Sequence, residues 1–193
     1  MNSIVRLMPD ATALQPDFRS AMRQLVGGVS VITVGRGDEI TGMTVSSLSS
    51  LSVDPPSVII SLNCNASSWP ILQRERVFGA NLLAADQIDV AERFAGKGGL
   101  KGAERFAGAE WRRHVTGVPL LAGALAALDC EVEEIIERHS HGIVIGRVVH
   151  VEVAPQAAAL AYWHGGYVPV DREDDLARLA ALSVPDPRLP PKR

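Results

Sequence analysis

The feature that narrows the fold most is a series of short β-branched runs with little helical sequence between them. VSVITV (29–34) turns over at Gly35-Arg36-Gly37-Asp38, and a second strand follows over 40–45. SVIISL (57–62) is introduced by Pro55-Pro56; FGANLL (78–83) and two long runs, 128–136 and 142–153, come after it. A link as short as 35–38 makes a hairpin, whereas a parallel pair needs a crossover of about a dozen residues or more. Many such strands with few helices predict a mainly β fold: an antiparallel, Greek-key-like barrel with a few short helices rather than a doubly wound sheet. No complete G-x-G-x-x-G or G-x-x-x-x-G-K-[ST] occurs, so a bound nucleotide would be held without either phosphate cradle.

Helical spacing is confined to short stretches. Phe18, Met22, Leu25 and Val26 predict an amphipathic helix from Pro16 to Val26, ended by Gly27-Gly28. A second helix is expected from Asp86 to Ala95, followed by the glycine-rich loop GKGGLKG (96–102). In the run 142–153, Ile143, Ile145, Val149, Val151 and Val153 share one face, with Val144, Val148, His150 and Glu152 on the other. Val144 and Val148 make the second face partly apolar, so the start of that strand is expected to be covered on both sides.

Composition excludes whole classes. With 47% apolar and 21% charged residues and a formal net charge of −3, disordered, fibrous and membrane chains are ruled out, and no basic face invites nucleic acid. The longest apolar stretch, VPLLAGALAAL (118–128), is about half a membrane span and contains Pro119 and Gly123. The start lacks an apolar secretory region, and the two cysteines, Cys64 and Cys130, have no zinc spacing. A cytoplasmic protein with two buried free thiols is expected.

Two segments carry the candidate chemistry. TGMTVSSLSSLSVDPP (41–56) crowds Thr41, Thr44, Ser46, Ser47, Ser49, Ser50 and Ser52 together. Small hydroxyls and backbone amides suit the edge of a flat polar heterocycle, although a serine-rich surface loop has the same composition. The strand SVIISL then runs into Asn65-Ala66-Ser67-Ser68 and Trp69-Pro70, a helix start whose free amides suit an anion or serve as an ordinary cap.

Those segments, with their Asp-Pro-Pro and Asn-x-Ser-Ser blocks, resemble the short-chain flavin reductases. These are the reductase components of two-component flavin-dependent monooxygenases, built on the FMN-binding split barrel. Three later blocks agree: Gly117-x-Pro-x-Leu with Ala126-x-x-x-Cys130, His141-x-Ile-x-x-Gly-x-Val, and Tyr162-x-x-Gly-x-Tyr167. The resemblance covers residues 14–170, leaving 1–13 as an N-terminal extension and 171–193 as a charged helix (171–182) with a proline-rich tail. It implies an NAD(P)H:flavin oxidoreductase that passes a hydride from NADH or NADPH to FMN or FAD. It further implies a homodimer with flavin at the subunit interface, and a separate monooxygenase that receives the reduced flavin.

The matching positions are assigned roles by the resemblance alone. Thr44, Val45, Ser46 and Ser47 would line the isoalloxazine edge, and Ser61, Asn65, Ser67 and Ser68 would approach the ribityl and phosphate groups. His141 would stand beside the nicotinamide as the catalytic residue, and Tyr167 near the ring. Relatives usually carry Gly-Asp before that histidine, where this chain has His139-Ser140. By spacing alone His141 is also a capped loop histidine. His139 and His141 share a face without a third ligand, so no metal site is expected. Glu131, Glu133, Glu134 and Glu137 suit a solvated strand edge, and Lys97, Lys101, Arg105 and Phe106 a solvent-facing loop. A flavin-dependent oxidase or oxygenase and a non-catalytic flavin-binding protein are the alternative functions.

Overall fold

A computed structural model describes residues 11–154 and 158–171. In chain order the elements are α1 (Ala11–Met22), β1 (Gly27–Gly28), β2 (Ser30–Arg36), β3 (Glu39–Val45), β4 (Ser49–Val53), β5 (Pro56–Asn63), α2 (Trp69–Glu75), β6 (Val77–Leu82) and α3 (Ile88–Phe94). They continue through two 3-10 turns (Lys97–Gly99 and Gly102–Phe106) to β7 (Trp111–Arg113), β8 (Pro119–Leu121), β9 (Ala126–Arg138), β10 (His141–Val153), β11 (Ala159–Trp163) and β12 (Gly166–Val170). The charged helix and tail expected after Asp171, and residues 1–10 of the N-terminal extension, lie outside the described residues.

Seven strands form one antiparallel sheet in the order β3-β2-β6-β9-β10-β5-β4. Its two edges, β3 and β4, are consecutive in the chain and joined by residues 46–48 alone. In a flat sheet those edges would lie about 29 Å apart, six strand spacings of about 4.8 Å. The link from Val45 to Ser49 reaches about 14 Å at most. The sheet must therefore curl into a barrel that is split between β3 and β4. Its interior holds Ile32, Val34, Val58, Ile60, Leu62, Phe78 and Val144, with Trp69 and Leu72 of α2 closing one side.

A second cluster covers the outer face of β2. There Val29, Val31 and Leu160 meet Val90 and Phe94 of α3, with Phe106 packed edge-on and Trp111 tilted against Phe94. β1, β11 and β12 form a three-stranded sheet beside it. Among the described residues no helix is long and apolar enough to cross a membrane.

Several expectations change. The first helix spans Ala11–Met22 rather than 16–26, accommodates Pro16, and leaves Phe18, Met22, Leu25 and Val26 exposed. The serine-rich stretch is no loop throughout, since Ser49–Val53 pairs with β5 as an edge strand. VPLLAGALAAL breaks into β8 and the start of β9, and Ala159–Val170 folds as a hairpin over His164-Gly165. Cys130 is buried but Cys64 is only half-buried; both are free.

Among the described residues of one chain, the start of β10 is not covered on both faces. Ile143 faces outward, while Gly142, Val144 and Gly146 point inward. The inward glycines are required by close approach: a Cβ on Gly142 would sit 2.0 Å from the Trp69 ring, and one on Gly146 2.4 Å from the Phe78 ring. The two rings fill the space that larger strand residues would occupy. Gly146→Ala is expected to destabilise the protein by about 1–3 kcal/mol through overpacking, read as a lower midpoint in urea unfolding.

Burial, reinforced by the neighbouring Asp129, pushes the Cys130 thiol up to about 12 from its ordinary value of 9.0. Below pH 9 the thiol is neutral in both folded and unfolded chains and its titration does not move stability. Between pH 9 and about 12 the unfolded chain loses a proton that the native chain keeps, so stability falls by up to about 1.4 kcal/mol per pH unit. Unfolding curves measured across that window should show the decline, and Cys130→Ala should flatten it.

Candidate functional site

The end of β3 and the β3–β4 link are held by their own hydroxyls. Thr44 Oγ1 donates to the Ala91 carbonyl of α3 at 2.6 Å. Ser47 Oγ donates to the Ser61 carbonyl at 2.8 Å and accepts from the Ser61 amide at 3.2 Å, tying the link to β5. Thr44 and Ser47 thus spend their side chains on the fold, and a ligand there meets backbone and the exposed Ser46. Gly27 fits closely against that serine, because a Cβ would stand 2.9 Å from Ser46 Cβ.

Two cavities meet at Ser46 and Tyr162. The larger, about 770 Å³, runs between α1 and the β11–β12 hairpin and is lined by Phe18, Arg19, Met22, Arg23, Ser47 and Trp163, among others. The smaller, about 190 Å³, is lined by Val29, Thr44, Val45, Ser46, Ala95, Tyr162 and Tyr167. Tyr162 and Tyr167 are cross-strand partners with ring centroids 5.5 Å apart. The Tyr167 phenol is held above its ordinary pKa first by burial and then by Glu92, so it remains a neutral donor at physiological pH. The hairpin is fastened to the end of α1: Trp163 Nε1 donates to the Gln24 carbonyl at 3.2 Å, and the His164 amide to the Arg23 carbonyl at 3.2 Å.

Thr44, Val45, Ser46, Ser47 and Tyr167 therefore come together around one cleft, with Ser61 joined to it through Ser47. Ser67 is exposed on a different cavity of about 460 Å³, with Thr41, Ile71, Lys101 and Arg105. Ser68 is 2% exposed and its Oγ has no partner among the described residues, while Asn65 is exposed with its backbone amide bonded to Asn63 Oδ1. α2 has seven residues and Ser68 makes no side-chain capping bond, so the expected cradle at its start presents Ser67 but not Ser68.

His141 opens β10 opposite Asn63 of β5, exposed, with Nδ1 2.9 Å from Ser140 Oγ. It lines neither of the two joined cavities. The preceding turn puts His139 at φ 55°, a left-handed position that glycine adopts at less cost. Sequence reading missed Arg19, Arg23, Tyr162, Trp163 and His164. Arg19 and Arg23 do carry a signal, since four-residue spacing sets them on one helix face.

The cleft is large enough for an aromatic cofactor, with aromatic faces, exposed hydroxyls that include Ser46, and two guanidinium groups. The family description "flavin reductase like domain" matches residues 22–171. The chain belongs to that family.

Its relatives fit the same frame. It is 34% identical over 158 residues to an FMN reductase (NADH) RutF of Cronobacter sakazakii, covering 82% of this chain and 94% of that one. The crystal structure of BorF, the flavin reductase component of a bacterial two-component tryptophan halogenase, superposes with a TM-score of 0.75 at 33% identity, covering 81% of this chain and 99% of that one. The Streptomyces globisporus NADH:FAD oxidoreductase SgcE6, solved with NAD and FAD fragments, gives 0.74 at 29% identity, with 82% and 94% covered. In this flavin reductase-like chain, Gly27→Val should displace Ser46 and weaken FMN binding about tenfold or more, measured by fluorescence titration, while the far-ultraviolet circular dichroism stays unchanged.

Proposed function

We propose that the chain is a nicotinamide-dependent flavin reductase that supplies reduced FMN or FAD to a separate monooxygenase. The observation that carries this reading is the joined cleft, where uncharged small groups meet aromatic faces with two arginines among the lining. When bound, flavin supplies the chemistry by accepting a hydride from the dihydronicotinamide. The protein's part is to bind, orient and exclude water.

Backbone at Val45–Ser46 and the Ser46 hydroxyl offer hydrogen bonds to a heterocycle edge. Tyr162 and Tyr167 offer aromatic surface, and the protonated Tyr167 phenol a donor. Arg19 and Arg23 suit the phosphates of a flavin or a nicotinamide dinucleotide. None of these groups needs to change its protonation state, which fits a reaction whose electrons move between two cofactors.

His141 belongs to this reading as the residue beside the nicotinamide, although in one chain it lies outside the cleft's lining. A homodimer with flavin at the subunit interface allows a second copy to complete the site. Exposed apolar residues on the outer faces of β4 and β10, among them Leu51, Val53 (89% exposed) and Ile143, are what such an interface would cover. Work in the cytoplasm is part of the same proposal.

Purified protein mixed with NADH or NADPH should oxidise it in a manner that saturates with added FMN or FAD. Tight flavin binding with no nicotinamide oxidation in any pairing would sink the proposal. That outcome would leave a non-catalytic flavin-binding protein, whereas turnover of a third substrate would favour an oxidase or oxygenase. His141→Ala should lower nicotinamide turnover while leaving flavin affinity nearly unchanged; an equal loss of both would misplace the histidine. Ser140→Asp should place a carboxylate beside His141 Nδ1 and change nicotinamide turnover, measured as kcat/KM for NADH and NADPH against wild type.

A further inference from the structure

Away from the cleft, the loop after β7 lies over β9 and the far end of β10. Its anchor is Asp129 of β9, which is fully buried. Asp129 accepts the Thr116 amide at 2.9 Å through Oδ2 and the Thr116 hydroxyl through Oδ1, and Arg36 Nε donates to the Thr116 carbonyl at 2.7 Å. Asp129 is also the cross-strand partner of His150. Fixing Thr116 on Asp129 therefore sets His114, two residues earlier, over His150.

The rings of His114 and His150 stack with centroids 4.2 Å apart and 18° between planes. Glu152, two residues along β10, brings Oε1 within 2.8 Å of His114 Nε2. One ligand atom from each of His114, His150 and Glu152 lies within 4.8 Å of the others, and among the described residues this is where three such side chains converge. Both Nε2 atoms are buried, and among the described residues neither has an aligned hydrogen-bond partner. Buried polar atoms are nearly always satisfied, and two adjacent orphans beside a carboxylate ask for a shared partner. A proton between His114 and Glu152 would leave His150 Nε2 unmet. A cation takes all three lone pairs.

The geometry points to a divalent metal site formed by His114, His150 and Glu152. Two imidazoles and one carboxylate suit zinc and its first-row neighbours nickel, cobalt and copper rather than magnesium or calcium, whose ligands are all oxygen. Tetrahedral zinc has bonds of about 2.0–2.2 Å to such ligands and holds them about 3.4 Å apart. The widest separation of the three atoms must therefore close by about an ångström, the His114–Glu152 pair must open from 2.8 Å, and a fourth position is left for water. Parallel stacked rings cannot both aim a lone pair at one ion, so at least one imidazole rotates out of the stack on binding. Asp129 acts one step back, as the residue that positions the loop. None of the three ligands lines the flavin-sized cleft, so metal binding and nicotinamide oxidation are read separately.

The test is calorimetric titration of tag-free, chelator-treated full-length protein with Zn²⁺, checked by metal analysis after gel filtration. One Zn²⁺ per chain is expected. Both His150→Ala and Glu152→Gln should weaken it at least about tenfold, since loss of even an outer partner of a metal ligand costs about 10–100-fold. Histidine proton signals of two rings should shift together as the stack opens. Glu152→Gln keeps the side chain's size, so it reports on the ligand even where His150→Ala fails to fold. No binding, or equal affinity in wild type and Glu152→Gln, overturns the site and assigns any bound zinc to surface histidines such as His139 and His141.

Discussion

Three residues set the shape of this molecule. Because residues 46–48 must carry the chain from one edge of a seven-stranded sheet to the other, the sheet has no flat solution. The link is tied down by Ser47 Oγ, which donates to the Ser61 carbonyl and accepts from the Ser61 amide, so one side chain fastens it to β5. Small hydroxyl-bearing residues are suited to that place: they fit where strands converge, and they satisfy backbone groups that no ladder reaches.

The same closure builds the cleft. Ser46 stands at its meeting point because its neighbour Ser47 is committed to β5, and Thr44 is committed to α3. The remaining walls come from distant segments, α1 and the β11–β12 hairpin, fastened to each other by the Trp163 and His164 bonds. A site so made is rich in backbone and aromatic surface and poor in titrating groups. Chemistry that moves electrons between cofactors needs little more from the protein, and membership of the flavin reductase-like family agrees with it.

Much of the sheet was legible because hydrophobic runs and turn residues are local signals. β2, β3, β5, β6, β9 and β10 lie within a few residues of the runs that predict them. The elements that escaped have their reasons in space. β4 is an exposed edge strand that needs no apolar pattern, and β7 and β8 are three-residue pieces held by a pair and by buried side chains. The face of β10 was misjudged because period-two reading favours isoleucine and valine, while the core already held the Trp69 and Phe78 rings and took glycine. Ser68, assigned to the ribityl and phosphate groups by the resemblance alone, lies buried at the start of α2.

By itself the sequence determined the β class, the antiparallel pairing implied by its short links, and the segment that carries the polar site. Each of these is written in residues close together along the chain, where spacing and turn chemistry act. Tertiary structure alone decided which hydroxyls remain exposed, that α1 and the final hairpin complete the cleft, and that His114 meets His150 and Glu152 across strands. Those outcomes depend on a curl of the whole sheet and on contacts between residues far apart in the chain, and no local pattern encodes the distance between them.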